Sequence, residues 1–172
     1  MFAKHFIGWT LLIVAIGLVT AVVGASAQEI GKVDTRFRFL TPDDTIRIEV
    51  FDDPKISGVS CYLSRAKTGG IKGALGVAED TSDASLDCRR IADVRIKEKF
   101  ENGERVFRER RSLIFKELQV VRYCDSERNV LVYLVFSDRV IEGSPKNSVS
   151  AVPLHGDGPA GEQAMACSDY LE

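Results

Sequence analysis

The chain has 172 residues, of which 28% are charged, and its formal net charge at pH 7 is −2. This length suits one domain with a single core, and the slight acidic excess excludes a dedicated nucleic-acid binder, which would carry a basic surplus. Beyond the N-terminal stretch, the longest uninterrupted apolar run is residues 130–136, which is too short to span a bilayer.

The N-terminus has the three parts of a secretory signal peptide. Lys4 gives a positive start, residues 6–24 are almost wholly apolar, and residues 25–27 (Ala-Ser-Ala) form a small-x-small cleavage site. We therefore predict export with cleavage between Ala27 and Gln28. The apolar stretch is also close to the lower limit for a membrane span, so an uncleaved N-terminal anchor is the alternative.

Period-two alternation dominates the rest of the chain. Residues 45–51 predict a half-buried strand with Ile46, Ile48 and Val50 on one face and Arg47 and Glu49 on the other. Residues 130–136 are apolar on both faces, which predicts a central strand, whereas the polar stretch 105–111 predicts an edge strand. Further strands are predicted over residues 59–64, 113–123 and 148–154, with a turn at residues 125–129.

Helix signals are weak. Residues 91–100 are the best candidate, although Ala92, Val94 and Ile96 alternate as in a strand, and residues 74–80 suit one short turn. The predicted fold is a mainly β, antiparallel, sandwich-like or barrel-like single domain with minor helix, with an α+β fold as the alternative. The predicted division is a signal peptide over residues 1–27, one domain over 28–154, and an extension over 155–172 that is loose unless Cys167 fastens it.

Four cysteines, Cys61, Cys88, Cys124 and Cys167, all follow the predicted cleavage site. An even number in an exported domain predicts two disulfides, for which three pairings are open. None of the four forms a C-x-x-C pair, and His155 is the single histidine after residue 27, so a zinc site or a redox pair is disfavoured. No metal or other cofactor is predicted.

A glycine- and lysine-rich segment between Cys61 and Cys88 is the best candidate for a working surface. Glycine-rich backbone can turn its N–H groups towards an anion, and nearby cations add to the attraction. The alternative is a surface loop that packs only on itself. The candidate residues for contact with a ligand or partner are Arg65, Lys67, Thr68, Gly69, Gly70 and Lys72.

Other motifs have simpler explanations. Ser64 with Lys67 fits S-x-x-K, and Lys67-Thr68-Gly69 fits K-T-G, but one lysine would then fill two roles that penicillin-recognising enzymes give to distant segments. The acidic residues 79–83 lack the spacing of a calcium loop and favour turn chemistry. Asp52-Asp53-Pro54 offers two carboxylates but is typical of a turn after a strand. The basic residues of 105–116 alternate with glutamates, which indicates a solvated face or cross-strand pairs.

Several blocks, taken together and in order, resemble one known family. The longest runs from Cys61 to Arg89 and reads CYLSRAKTGGIKGALGVAEDTSDASLDCR. Shorter blocks are FDDP at residues 51–54, SLIFK at 112–116, LQVVR at 118–122 and EGSPKN at 142–147. The chain resembles the CreA family of bacterial exported proteins over about residues 30–154.

This resemblance implies an address and a cross-link rather than a reaction. Members are regarded as periplasmic and have no assigned molecular activity. The resemblance implies that Cys61 and Cys88 belong together, since both lie in the long block, and Cys124 with Cys167 then follows as the remaining pair.

Two functional hypotheses stay open. The first is a non-enzymatic envelope protein that binds an unknown envelope protein or a small anionic ligand through the Cys61–Cys88 loop. The second is an enzyme of unknown class that uses the same loop, with Lys67 as a candidate residue. A structure that buries Lys67 beside a carboxylate would favour this second hypothesis. No catalytic residue is assigned, because no Ser–His–Asp, Cys–His or metal-ligand set is visible in the sequence.

Overall fold

The structure is a computed structural model that describes residues 27–36, 39–40, 43–67, 69, 84–110, 117–138, 146–154 and 165–172. Within these residues the chain forms eight strands and one turn of 3-10 helix. The strands are β1 (Gln28–Arg36), β2 (Asp44–Asp52), β3 (Ile56–Lys67), β4 (Ala84–Ile96), β5 (Glu104–Arg110), β6 (Glu117–Asp125), β7 (Val130–Asp138) and β8 (Asn147–Pro153), and the 3-10 turn is Cys167–Tyr170.

The strands form two antiparallel sheets of four. The first sheet has the order β1-β2-β3-β4 and the second β5-β6-β7-β8, so each strand pairs with its neighbour in sequence. The mainly β, sandwich-like prediction is confirmed. In the described part of the chain no α-helix is present and the two sheets do not close into a barrel.

The core lies between the sheets and takes one face of each. Phe51 of β2 stacks on Phe107 of β5 with 4.5 Å between ring centroids, which joins the two sheets. The aliphatic residues around this pair alternate along their strands, as burial of a single face requires. They include Leu63, Leu86, Leu118, Val120, Leu131, Val135 and Val152.

One pair of sheet edges is joined by serine side chains. Cys88 N–H on β4 donates to Ser150 Oγ on β8 at 2.8 Å, and Leu86 N–H donates to Ser148 Oγ at 3.4 Å. Among the described strands β4 is the last of its sheet, so these two N–H groups have no neighbouring strand whose carbonyls could accept from them. The serine hydroxyls of β8 accept instead and satisfy these backbone donors. The beginning of β8 is therefore held beside β4.

Two positions with positive φ carry residues that suit this conformation, Gly58 and Asn129. Gly58 has φ of 82°, and a Cβ there would lie 2.4 Å from the carbonyl oxygen of Asp93, so the bulge of β3 against β4 admits only glycine. Asn129 has φ of 51° and ends the predicted turn between β6 and β7. Asparagine tolerates this left-handed conformation better than most residues.

Residues 91–100, the best helix candidate in the sequence, do not form a helix. Residues up to Ile96 belong to β4, and the 13-residue length of this strand was not predicted. The alternation of Ala92, Val94 and Ile96 was the correct signal: Val94 is half-buried and Ile96 is buried. The predicted short turn at residues 74–80 lies outside the described residues.

β2 turns its polar face towards the core. Thr45, Glu49 and Phe51 are buried, whereas Ile46 and Ile48 are each 40% exposed. Hydrophobicity alone would favour the opposite orientation. Burial of the Glu49 carboxylate is tolerated because the guanidinium of Arg65 lies against it.

The last eight residues are attached to the domain. Asn129 accepts from Cys167 N–H at 2.9 Å and donates to the carbonyl of Met165 at 2.9 Å. Phe100 N–H donates to the carbonyl of Tyr170, and Glu172 N–H donates to the carbonyl of Phe100. Residues 165–172 are thus fastened beside the β6–β7 turn, and residues 155–164 lie outside the description.

Candidate functional site

A cluster of charged groups, the Arg122 cluster, lies buried at the end of the sandwich near the β2–β3 turn. The side chains of Arg122 and Asp53 are fully buried, and Arg122 Nη1 is 2.6 Å from both carboxylate oxygens of Asp53. Arg122 Nη2 donates to Glu104 at 2.9 Å, and Lys55 Nζ lies 2.7 Å from the other oxygen of Glu104. Two positive and two negative groups therefore compensate one another.

Two aromatic residues complete the Arg122 cluster. Tyr133 donates its hydroxyl to Asp53 at 2.9 Å, and the guanidinium of Arg122 lies over the ring of Phe100 with 4.1 Å to the centroid. Burial raises the pKa of Tyr133 well above its usual value, and the negative charge of Asp53 raises it further. The phenol therefore stays protonated and acts as a donor.

The Arg122 cluster is a structural unit. Asp53 also accepts from the backbone N–H groups of Lys55 and Ile56 at 2.9 and 3.1 Å, which fixes the turn after β2. The neighbouring Asp52 is separately engaged and accepts from the hydroxyl of Ser60 at 2.5 Å. The turn interpretation of these aspartates is correct, and the enclosed ion pair is the part that the sequence did not reveal.

A second cluster, the Arg65 cluster, lies at the opposite end, where β3 leads into the glycine-rich loop. Arg65 is 8% exposed, and its guanidinium lies 2.5 Å from Glu49 and 2.7 Å from Glu109. Burial alone would lower the pKa of Arg65, but its hydrogen bonds and charge attraction to Glu49 and Glu109 outweigh burial and raise it. Arg65 is thus committed to two carboxylates, one from each sheet.

An open groove of about 520 Å³ lies on the reverse side of the first sheet, beside the Arg65 cluster. Ile46 pairs with Ala66 and Ser64 pairs with Ser85, so all four share the outer face of the sheet. The beginning of β8 supplies the remaining wall because it is held beside β4. The lining residues are Ile46, Ser64, Arg65, Ala66, Ala84, Ser85, Lys146 and Asn147.

Small side chains make the groove. Ser64, Ala66 and Ser85 leave a depression between the exposed Ile46 on one side and the exposed Lys146 on the other. Its volume falls within the range of small-molecule sites, which typically combine apolar walls with a few polar groups.

The predicted contact residues divide into three groups. Arg65 lines the groove, but its charge is used inside the protein. Lys67 is exposed at the end of β3, and Gly69 is buried with its N–H donating to Asp44 at 2.8 Å. Thr68, Gly70 and Lys72 lie outside the described residues, so their role as contacts stays a prediction.

Sequence reasoning missed Lys146 and Asn147 as possible contacts. Both belong to the block at residues 142–147 that carried the family resemblance, and both line the groove beside β4. That block was the available signal, but only the junction between β4 and β8 shows that it lies next to Ser64 and Ser85.

The cysteines lie in two pairs at disulfide distance. Cys61 and Cys88 are directly opposite in the β3–β4 register with 2.06 Å between sulfurs, and both are buried. The sulfurs of Cys124 and Cys167 are 1.96 Å apart, and this pair connects β6 to the C-terminal 3-10 turn. The first pair joins the two strands that flank residues 68–83 in the sequence.

The remaining candidates can be placed in the described residues. Arg108 forms an ion pair with Glu117 across β5 and β6, which agrees with the interpretation of the basic stretch as cross-strand pairs. In this part of the chain no group of three or more His, Cys, Asp or Glu side chains could hold a metal ion. Nor does it contain a helix long and apolar enough to cross a membrane.

The fold and the site define a class: an antiparallel β-sandwich domain with two cysteine pairs, two buried arginine clusters and one open groove in its described residues. Residues 30–157 match the family described as "CreA protein". The chain is 52% identical over 147 residues to Protein CreA of Escherichia coli strain K12, which covers 83% of this chain and 94% of that protein. Protein CreA of Escherichia coli O157:H7 matches to the same extent.

The chain therefore belongs to the CreA family, and the resemblance seen in the sequence is confirmed. No solved structure matches it significantly. The family match ends at residue 157, so the disulfide partner Cys167 lies beyond the matched segment.

Proposed function

We propose that the protein is a non-enzymatic binding module of the bacterial periplasm, exported with cleavage after Ala27, that takes a small anionic ligand in the groove at the root of the 68–83 loop. The observation that carries this proposal is the groove itself. Its lining combines small side chains, one apolar wall and an exposed lysine.

The charges around the groove favour an anion. Lys146 lines it, and Lys67 is exposed one residue beyond Ala66, which also lines it. The guanidinium of Arg65 is held between Glu49 and Glu109, so it stabilises the strand rather than the ligand. A ligand with one or two carboxylates or a phosphate group would be attracted by the exposed ammonium group of Lys67.

The cysteine pairs agree with an oxidising compartment. Both are in place in the structure, and disulfides persist in the periplasm but are rare in the cytosol. An enzyme is the less favoured alternative, because Lys67 is exposed, whereas a catalytic lysine would be buried beside a carboxylate.

A groove-filling substitution tests the site directly. Ser85→Trp places a large ring in the groove from an exposed position, whereas Ala92→Trp, also exposed on β4, is the matched control. Backbone NMR shifts would be followed during titration with inorganic phosphate, succinate and citrate. We expect one of these anions to shift residues of the groove in the wild type and in Ala92→Trp, and none to do so in Ser85→Trp.

A second test of the proposed site is whether variants of the protein can replace it in a host that lacks it. Ser85 and Lys67 are exposed, so Ser85→Trp, and Lys67→Ala combined with Lys72→Ala, should fold and be exported. Both variants should fail to restore the host. If both restore it fully and no probe anion shifts the groove, the proposal is wrong. If they fail to restore it while the anions shift nothing, the ligand is instead a protein at the same surface.

A further inference from the structure

β1 presents an open edge and an exposed surface. It pairs with β2 on one side, and among the described residues no strand pairs with its other side. Ile30 and Val33 are 53% and 62% exposed. The middle of the strand, residues 31–34, is regular, while register shifts occur at Glu29/Gly31 and Asp34/Arg36. A long open edge with exposed apolar side chains is a template for pairing with another strand.

The two faces of β1 differ in chemistry. Val33 is opposite Ile46 in the register, so it lies on the outer face with Ile46 and Ile48. Lys32 and Asp34 are opposite Arg47 and Thr45, which places them together on the other face. Residues 32–34 therefore carry apolar Val33 on the outer face, and the positive Lys32 and the negative Asp34 on the opposite face.

We propose that a second copy of this chain pairs with β1 in antiparallel orientation, with Val33 opposite the partner's Val33 about a two-fold axis perpendicular to the sheet. In this register Lys32 lies opposite the partner's Asp34, and the symmetric pair repeats the contact. The two Val33 side chains also connect the exposed Ile46 of one copy to that of the other in one apolar strip.

Neighbouring registers are less favourable. Side chains directly opposite each other in a strand pair lie on the same face of the sheet. The two-fold axis must therefore pass between the two copies of one residue, and the neighbouring registers are those centred on Lys32 and on Asp34. Centring the pair on Lys32 places two ammonium groups opposite each other, and centring it on Asp34 does the same for two carboxylates. Like charges directly opposite are destabilising, so the register centred on Val33 is selected. This argument does not depend on the groove or its ligand.

Charge reversal tests both the dimer and its register. Lys32→Asp places carboxylates opposite each other twice, and Asp34→Lys does the same with ammonium groups. Each single variant should weaken the dimer by about 10- to 100-fold in dissociation constant, measured by analytical ultracentrifugation of the mature chain. The double variant exchanges the charges and should restore it.

A mixture of the two single variants provides the most specific test of the proposed pairing. In the proposed register, the Lys32→Asp variant presents two carboxylates and the Asp34→Lys variant presents two ammonium groups. An equimolar mixture should therefore form a heterodimer with opposite charges at both positions, although each variant alone dimerises more weakly than the wild type. Arg95→Asp, an exposed reversal on β4, is the control and should leave the dimer unchanged. Circular dichroism and thermal unfolding would establish that every variant is folded.

Three results would overturn the proposal. A wild-type protein that stays monomeric at the highest soluble concentration excludes the dimer. Single reversals that leave a dimer intact exclude β1 as its interface. A double variant and a mixture that both stay monomeric exclude the proposed register.

Discussion

Replacing Asp53 by Asn should be among the most destabilising isosteric changes in the domain. The carboxylate accepts from Lys55 and Ile56 backbone N–H groups, from Tyr133 and, through both oxygens, from Arg122. An amide removes the charge and places an NH₂ group against donors. Because Arg122 is fully buried, its charge would then be compensated only by the partly exposed Glu104.

The expected loss is about 3–5 kcal/mol in the free energy of unfolding, the usual result of breaking a buried ion pair from one side. For a domain of this size that corresponds to a fall of about 10–15 °C in Tm. The assay is urea unfolding of the mature protein followed by far-ultraviolet circular dichroism, with a thermal scan alongside.

Asp52→Asn is the matched control, since this neighbouring carboxylate is exposed and receives one hydrogen bond, from Ser60, that an amide oxygen can also accept. It should cost no more than about 1 kcal/mol. Arg122→Met should be costly alone, but combined with Asp53→Asn it should lose less than the sum of the two. A loss below about 1 kcal/mol for Asp53→Asn would refute the reasoning that this ion pair is needed for stability.

Three further predictions concern pH, cross-links and export. The pKa of Tyr133 is raised in the folded state, so above pH of about 10 the unfolded chain releases a proton that the native state keeps, and stability falls by up to about 1.4 kcal/mol per pH unit. Tyr133→Phe should lose this part of the alkaline slope; an unchanged slope would contradict the burial of the phenol. Non-reducing peptide mapping should recover the Cys61–Cys88 and Cys124–Cys167 pairs, and Cys124→Ala with Cys167→Ala should cost about 2–5 kcal/mol in urea unfolding. N-terminal sequencing of protein from its host should begin at Gln28, whereas a product retaining residues 6–24 would indicate an anchor.

The strands that the sequence predicted share one property: their information is local. The β6–β7 hairpin combines two apolar stretches with a turn that ends at Asn129, and all of these signals lie within a few residues of one another. The signal for β4 was interrupted, because Arg90 and Ile91 break the alternation that the residues on either side of them follow. Its core-facing residues become recognisable only beside β3 and β8.

The orientation of β2 could not be predicted because it depends on distant partners. Glu49 is buried against Arg65, which is 16 residues away, and Arg65 reaches Glu109 another 44 residues along the chain. A period-two pattern reports which residues share a face, but which face is buried depends on what packs against it. The groove was missed because it also depends on residues that are distant in the sequence. Lys146 and Ser85 line the same groove because β8 lies beside β4.

The two buried arginines form a reciprocal arrangement that positions the groove. Arg65 of the first sheet reaches Glu109 of the second, and Arg122 of the second reaches Asp53 at the end of β2, at opposite ends of the sandwich. Because each contact crosses between the sheets, sliding one sheet over the other would separate Arg65 from Glu109 and leave the buried Asp53 without Arg122. The strands that line the groove are thus fixed relative to β8, which supplies its second wall.

This arrangement also determines which charges can select a ligand. If Arg65 were free, the groove would present a planar guanidinium suited to bidentate recognition of a carboxylate or phosphate. In the proposed site, the commitment of Arg65 to Glu49 and Glu109 leaves recognition to the exposed Lys67, whose ammonium group acts as a point charge without directional preference. Affinity for an anion should therefore fall steeply with ionic strength, and it should depend on the ligand's net charge more than on the geometry of its anionic group.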